Sequence, residues 1–380
     1  MWIVWLLAFT VLPLAGLGYV SWHIWQLLPV STMWHWIVVG LCVCLFLLMV
    51  GGFLGLNERL PLNVATVSYE VGNSVVFALL YLVMIFAVLD LAHVAHLIPK
   101  AWLHNNWYTA LAIAVVTVGV FGYGNLHYYN KHREAFNFNT SKAISKNPHV
   151  TSKKIVLLSD LHLGYHNRRA EFARWVDIIN AEKPDLILIG GDIIDVSVRP
   201  LIMESVAEEF HRLKAPIYAC LGNHEYYSGE PKAQQFYKEA GIILLRDSVA
   251  EIDNICIIGR DDRTNAHRKS LSELTNDLND SCFSILLDHQ PYHLEEAQKA
   301  RIDFQFSGHT HDGQVWPVSW ITRAMYEKSF GYLTKGDTQY YISSGMGIWG
   351  AKFRIGTRSE YMVLTLNFSP SEKSKGDKSR

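Results

Sequence analysis

No Lys, Arg, Asp or Glu occurs before Glu58. That stretch constrains the fold more than any other feature, because a water-facing surface needs charge and this one has none. Four segments are apolar enough and long enough to cross a bilayer core, which takes about 20 residues. They run over Trp2–Trp22, Ile37–Leu56, Val71–Leu89 and Trp107–Tyr123. Trp22, Trp25, Trp34, Trp36, Trp102 and Trp107 fall near their ends, where interfacial aromatics sit. The first segment has no basic leader and no small-residue cleavage site, so it reads as an anchor rather than a removed signal peptide. Asp90, His93 and His96 follow the third segment at a spacing of three and read as its wet end.

Four spans place the N-terminus and the remainder of the chain on one side. Arg59 and Lys100 lie in the short loops, while Lys131, Arg133, Lys142 and Lys146 follow the last span. Under the positive-inside rule this predicts a multi-pass protein of the plasma or inner membrane with a cytoplasmic domain. The organisation expected is a transmembrane region over 1–130, a linker over 131–152, a soluble domain over 153–368 and a disordered tail over 369–380. The soluble part, roughly 220 residues, is large enough for a sizeable core. Formal net charge over all 380 residues is −1, which argues against nucleic-acid binding through a basic surface. The five cysteines show no CxxC spacing; Cys220, Cys256 and Cys282 lie in strand-like stretches and read as buried free thiols.

Strand-like runs in the soluble part are KIVLLSD, PDLILIGGD, APIYACLGNHE, NICIIGRDD, CFSILLDHQ, DFQFSGHTH, QYYISSG and EYMVLTL. Phe172, Trp175, Val176 and Ile179 recur at helical spacing, as do Ile202, Val206, Phe210 and Leu213. Early strands alternate with helices and later ones follow closely, which predicts helix-covered sheets of mixed direction.

Five of these strands end in polar clusters: Asp160-Leu-His162, Gly190-Gly-Asp192, Gly222-Asn-His-Glu225, Asp288-His-Gln290 and Gly308-His-Thr-His311. Strand ends along one sheet edge are where open α/β sheets bind ligands. Asp-x-His offers carboxylate and imidazole on one face of a strand. Glycines beside Asp192, Asn223 and His309 let the chain turn and leave room for ions. Carboxylates, imidazoles and a neutral amide can hold two divalent cations about 3.5–4 Å apart, the arrangement that activates water against phosphate esters. Mixed N and O ligands suit Mn, Fe or Zn better than Mg or Ca. Taken singly, Asp160 and Asp192 read equally well as helix caps, and His289 as a satisfied core histidine.

The five motifs in this order resemble the calcineurin-like metallophosphoesterases, over about residues 153–367; GHTHDGQ and SSGMGIWG are similar to their membrane-associated branch. The resemblance implies an α/β (α+β) four-layer sandwich of two mixed sheets flanked by helices, here preceded by the four-helix transmembrane region. It implies that Asp160, His162 and His311 hold one metal ion, that Asn223, His289 and His309 hold a second, and that Asp192 is shared. His224 would be the catalytic non-ligand, stabilising charge or protonating the leaving oxygen. Glu225 either orients that imidazole or faces solvent. His166, four residues after His162, could touch substrate but reads better as an ordinary surface histidine, and Arg168 and Arg169 could bind a second phosphate but read better as a solvated helix start. Asp261 and Asp262 are left between approaching the site and not. His211, His267 and His293 match no motif.

The activity expected is hydrolysis of a phosphomonoester, phosphodiester or pyrophosphate bond, with two divalent metal ions, and with room for a lipid-linked substrate given the anchor. The rival reading is a transporter or sensor whose metal domain is regulatory. The near absence of ionisable residues inside the spans counts against ion or proton transport.

Overall fold

The computed structural model describes residues 11–368. The first ten residues of the expected first span, and the expected tail over 369–380, lie outside them. The described residues divide into two compact units, one of residues 11–126 with 350–353, the other of 127–349 with 354–368.

The first unit is helical. Its elements are α1 (Leu12–Leu27), α2 (Thr32–Phe53), α3 (Leu62–Val94) and α4 (Trp107–Tyr129). Among the described residues three helices, not four, are long and apolar enough to cross a membrane: α2, α3 and α4. The described part of the first segment is the 16-residue α1. Asp90, read as the wet end of its helix, is partnered instead. Its Oδ2 accepts a hydrogen bond from Tyr19 Oη at 2.6 Å and lies 3.0 Å from Nε2 of the buried His23.

In the second unit the strands are β1 (Lys131–Thr140), β2 (Ser152–Leu158), β3 (Leu186–Ile189), β4 (Ile217–Ala219), β5 (Ile243–Leu244), β6 (Ser248–Ile252), β7 (Ile255–Gly259), β8 (Phe283–Leu287), β9 (Phe304–Ser307), β10 (Gly331–Lys335), β11 (Thr338–Ile342) and β12 (Ser359–Phe368). Between them come α5 (Arg169–Ala181), α6 (Arg199–Met203), α7 (Ala207–Phe210), α8 (Asn223–Tyr227), α9 (Glu230–Glu239), α10 (Leu271–Thr275), α11 (Glu295–Lys299) and α12 (Val318–Met325). They form two six-stranded sheets, ordered β1-β12-β2-β3-β4-β5 and β10-β11-β9-β8-β7-β6. Both are mixed: β2, β3, β4 and β5 run parallel while β12 pairs antiparallel to β2, and β7, β8, β9 and β11 run parallel with antiparallel β6 and β10 at the edges.

Alternation along the strands explains the layers. Ile155 and Leu157 of β2 and Ile285 and Leu287 of β8 point between the sheets and pack in one core. Val156 and Leu158 point the other way, onto Phe172, Trp175, Val176 and Ile179 of α5. Ile258 and Leu286 do the same beneath α10 and α11, against Leu271, Leu274 and Ala297. The central strands are buried on both faces, which is why their sequences are continuous apolar runs rather than alternating ones. The result is the four-layer sandwich expected.

Two expectations are corrected. Residues 131–140, read as linker, form β1, which pairs in parallel with β12 from Lys131↔Ser359 to Thr140↔Phe368. Its opening KHRE hid it, but Phe136 and Phe138 alternate onto the inter-sheet core. Cys256 and Cys282, read as free thiols, form a disulfide with Cα atoms 5.9 Å apart. The parallel pairing of β7 with β8 matches Ile255 to Phe283, which sets the two cysteines beside each other despite a separation of 26 residues. Cys42, Cys44 and Cys220 are free.

Candidate metal centre

The site lies where the loops after β2, β3, β4, β8 and β9 meet. Asp160 and His162 do not share a strand face, because β2 ends at Leu158. They sit in the loop that follows, where Asp160 N–H donates to Gly191 O and His162 N–H donates to Asp192 O. Asp160, His162, Asp192, His309 and His311 all have positive φ, between 44° and 71°. Left-handed backbone at a non-glycine residue is uncommon and costs on the order of 1–3 kcal/mol. Five such residues around one point mark a place where the fold holds strain. Two glycines permit the close approach. A Cβ on Gly222 would strike the Asp192 carboxylate, and one on Gly308 would strike Ser159 Oγ and the Asp160 carboxylate.

All seven side chains picked out from the sequence as ligands come together. His311 Nε2 lies 3.4 Å from Asp160 Oδ1 and 3.1 Å from His162 Nε2. His162 Nε2 lies 3.7 Å from both Asp160 Oδ1 and Asp192 Oδ2. On the other side of Asp192, His289 Nε2 lies 3.0 Å from Oδ2. His309 Nδ1 and Asn223 Oδ1 are 2.8 Å apart. The groups Asp160/His162/His311, His162/Asp192/His224 and Asp192/His289/His309 each bring their ligand atoms within 4.8 Å of one another. Asp192 belongs to two of these groups, and its Oδ2 faces His162 from one and His289 from the other.

These residues fit a pair of cations. Asp160, His162 and His289 are fully buried and Asp192 nearly so. His289 donates Nδ1–H to Gly190 O at 2.7 Å, which leaves Nε2 as the lone-pair nitrogen. That Nε2 is buried and has no hydrogen-bond partner. A buried imidazole nitrogen without a hydrogen-bond partner, facing a carboxylate, is a donor arrangement that a metal ion would satisfy. The charge balance agrees. Burial resists ionisation of Asp192, yet the surrounding His289 and His224 imidazoles hold it well below the usual carboxylate range. Burial equally resists charge on His162, but Asp160, Asp195 and Asp192 push it up to about 10. Burial, with His289 beside it, pushes His309 down to about 4. Asp192 is thus held ionised despite its burial.

Asp195, not singled out from the sequence, organises the histidines. It is fully buried; its Oδ1 lies 3.2 Å from His162 Nδ1 and 3.4 Å from His224 Nδ1. It therefore holds both imidazoles in place. The signal was present in GGDIID, where a second acid follows Asp192 by three residues inside an otherwise apolar loop. His224 also lies 3.1 Å through Nδ1 from Asp195 O, and its N–H donates to Asp192 Oδ1 at 2.9 Å. With Nδ1 engaged, Nε2 is the nitrogen left to meet a substrate.

Several other residues differ from expectation. Glu225 neither orients His224 nor faces solvent. It is fully buried and accepts from the backbone N–H of Asp192, Ile194 and Gly222 at 3.1, 3.0 and 2.7 Å, clamping two ligand loops together. Burial, and the Asp192 charge beside it, raise its pKa to about 7. His166 is buried rather than on the surface, with Nε2 bonded to Ile348 O at 2.5 Å. Arg168 pairs with Glu204, and Arg169 pairs with Glu208 and Glu209, so neither is free for phosphate. Asp262 takes two contacts from Gln290 Nε2, at 3.0 and 2.9 Å, beside His289. Asp261 is tied to Arg246 and Tyr226. Arg354, fully buried, donates to the carbonyls of His311, Ser344 and Gly347 and to Ser359 Oγ. It fixes the SSGMG loop behind Asp160 and His311, and burial lowers its pKa to about 10.

The family model for calcineurin-like phosphoesterases matches residues 153–313. An uncharacterized metallophosphoesterase of Aquifex aeolicus is 30% identical over 254 residues, covering 64% of this chain and 95% of that protein. This chain belongs to the calcineurin-like metallophosphoesterase family. An uncharacterized metallophosphoesterase of Campylobacter jejuni is 33% identical over 220 residues, 56% of this chain and 59% of the relative. A transmembrane protein with metallophosphoesterase domain of Danio rerio is 32% identical over 232 residues, 56% of this chain and 53% of the relative. The chain thus spans a little over half the length of those last two.

Proposed function

We propose that this chain is a membrane-anchored phosphoesterase that works with two divalent metal ions and hydrolyses a phosphomonoester, phosphodiester or pyrophosphate bond. The observation that carries the reading is Asp192, a buried carboxylate that belongs to two groups of ligand atoms at once. Asp160, His162 and His311 would hold one ion, Asn223, His289 and His309 the other, with Asp192 shared. Mn, Fe or Zn suits this donor set. Such ions supply charge neutralisation for the phosphate oxygens and hydroxide near neutral pH. His224 Nε2 donates a proton to the departing oxygen, and Asp195 keeps that ring in position. Glu225 and Arg354 hold the loops still, so the donors need little rearrangement when substrate binds.

A chelator tests the reading. The full chain in detergent should hydrolyse bis(p-nitrophenyl) phosphate, lose that activity on treatment with excess EDTA, and regain it with Mn, Fe or Zn. Hydrolysis that persists after the metals are removed, as measured on the same sample, overturns it.

Anchoring favours a substrate that is itself lipid-linked, since confinement to one surface raises the effective concentration of both partners. We further propose the domain arrangement of an N-terminal membrane region followed by the phosphoesterase domain, with its start moved to β1. The basic residues Lys131, Arg133, Lys142 and Lys146 favour a cytoplasmic domain. A second reading comes from the Cys256–Cys282 disulfide, which favours an oxidising compartment. A reporter fused after residue 380 separates the two. Fluorescence of a cytosol-folding protein supports the first, and activity of an alkaline phosphatase that folds only outside the cytosol supports the second.

A further inference from the structure

Beyond the metal centre, the segment that leaves it carries an amphipathic helix facing the opposite way from an ordinary surface helix. From His311 the chain passes through Asp312 and Gly313 and enters α12. The side of α12 against the domain is small and polar. Ser319 is buried and packs so closely on Gly313 that a Cβ there would come within 2.6 Å of the Ser319 Cα. Arg323 binds Asp312 with two parallel hydrogen bonds, Nε to Oδ1 at 3.0 Å and Nη2 to Oδ2 at 2.7 Å. The outward side is apolar. Trp320, Ile321 and Met325 are 62%, 60% and 65% exposed. Trp316, just before the helix, is 39% exposed and meets Trp320 edge to face at 5.4 Å.

The spacing makes this one surface. Within the helix, residues 320 and 324 form one i, i+4 row and 321 and 325 the row beside it, and Trp316 joins them through its ring contact with Trp320. A helix of a soluble domain buries its apolar stripe and shows its polar one; α12 does the reverse, and its latch to Asp312 holds it there. Large contiguous apolar surface on a soluble domain marks a face that something covers.

We propose that the Trp316–Met325 face docks into the interface of a phospholipid bilayer. The chain itself supplies the reason for that occupant. It carries three helices of 22, 33 and 23 residues able to cross a membrane, so a bilayer is never far from the domain. The side chains match the site as well. Trp favours the headgroup level, where its ring is apolar and its N–H finds a polar partner. Ile and Met reach the acyl boundary below it. An eight-residue helix, about 12 Å long, lies in the plane of the interface rather than across it. Only four residues lie between His311 and Trp316, so docking places one rim of the metal centre at the membrane surface.

The test reads depth rather than hydrolysis, so its failure leaves the phosphoesterase reading untouched. The full chain, with Cys42 and Cys44 replaced by Ser, is labelled with a nitroxide at Ile321→Cys or, separately, at Met325→Cys. A third variant, Lys238→Cys, places the label on the exposed face of α9. Each is reconstituted in phosphatidylcholine–phosphatidylglycerol nanodiscs. At 321 and 325, collisions with dissolved oxygen should exceed those with a water-soluble nickel chelate; at 238 the order should reverse. Strong nickel collisions at 321 and 325 would show a face in water and overturn the proposal. Low collisions with both reagents would show a face covered by protein, such as a second copy of the chain, and overturn it equally.

Discussion

Asp192→Asn will abolish hydrolysis while leaving the protein folded and in the membrane. The substitution keeps the shape and one oxygen, so His224 N–H retains an acceptor. It removes the negative charge shared between His162 Nε2 at 3.7 Å and His289 Nε2 at 3.0 Å. The amide also brings an N–H₂ group, which cannot ligate and would repel a cation on whichever side it faced. Losing the electrostatic centre of such a site costs on the order of a thousandfold or more in kcat. Metal analysis of the purified variant should show fewer than two ions per chain, with helix content and membrane extraction unchanged. Full activity in this variant would refute the two-ion arrangement. A transport or sensing function that survived the substitution would favour the rival class, in which the metal domain is a regulatory module.

His224→Gln will lower turnover by about 10²–10⁴, the range for losing a positioned general acid, with metal content unchanged. This contrast with Asp192→Asn is the useful one, because it separates holding the ions from moving a proton. His224 stands edge-on to His162, at 87° and 4.5 Å, with its Nδ1 side against Asp195. Its remaining nitrogen can give up a proton only if the leaving oxygen needs one. The loss should therefore be steep for an alkyl ester, whose alkoxide is a poor leaving group, and shallow for a p-nitrophenyl ester. Equal losses on both substrates would assign His224 to charge stabilisation instead of proton donation. Loss of bound metal in this variant would make it a ligand, which its place beside His162 and Asp192 permits geometrically.

The seven ligand candidates were legible because each follows an apolar run that can only be a buried strand, and a polar residue at such an end has to face the sheet edge. LILIGGD and FQFSGHTH carry that message within a few residues. Asp195 was less legible, since an acid three residues after another looks like a loop residue until His162 and His224 are seen to converge on it. Glu225 was misjudged for a related reason. Its three partners are backbone N–H groups of two loops, and no side-chain pattern announces them. His166 and Arg354 are buried by the SSGMGIWG segment, which lies far from His166 in the chain.

Length and apolarity of α2, α3 and α4, the alternation that makes β2 and β8 central strands, and the order of the ligand motifs are properties of short stretches. Each follows from the bilayer's thickness, the strand's period of two or the chemistry of a donor, so the amino-acid sequence alone determined them. The pairing of β1 with β12, the Cys256–Cys282 bond, the hub at Asp195 and the outward apolar face of α12 were decided only by tertiary structure. The first three depend on which distant segments become neighbours, a choice made by the packing of the whole core, and the fourth on which side of a short helix is latched to the loop before it.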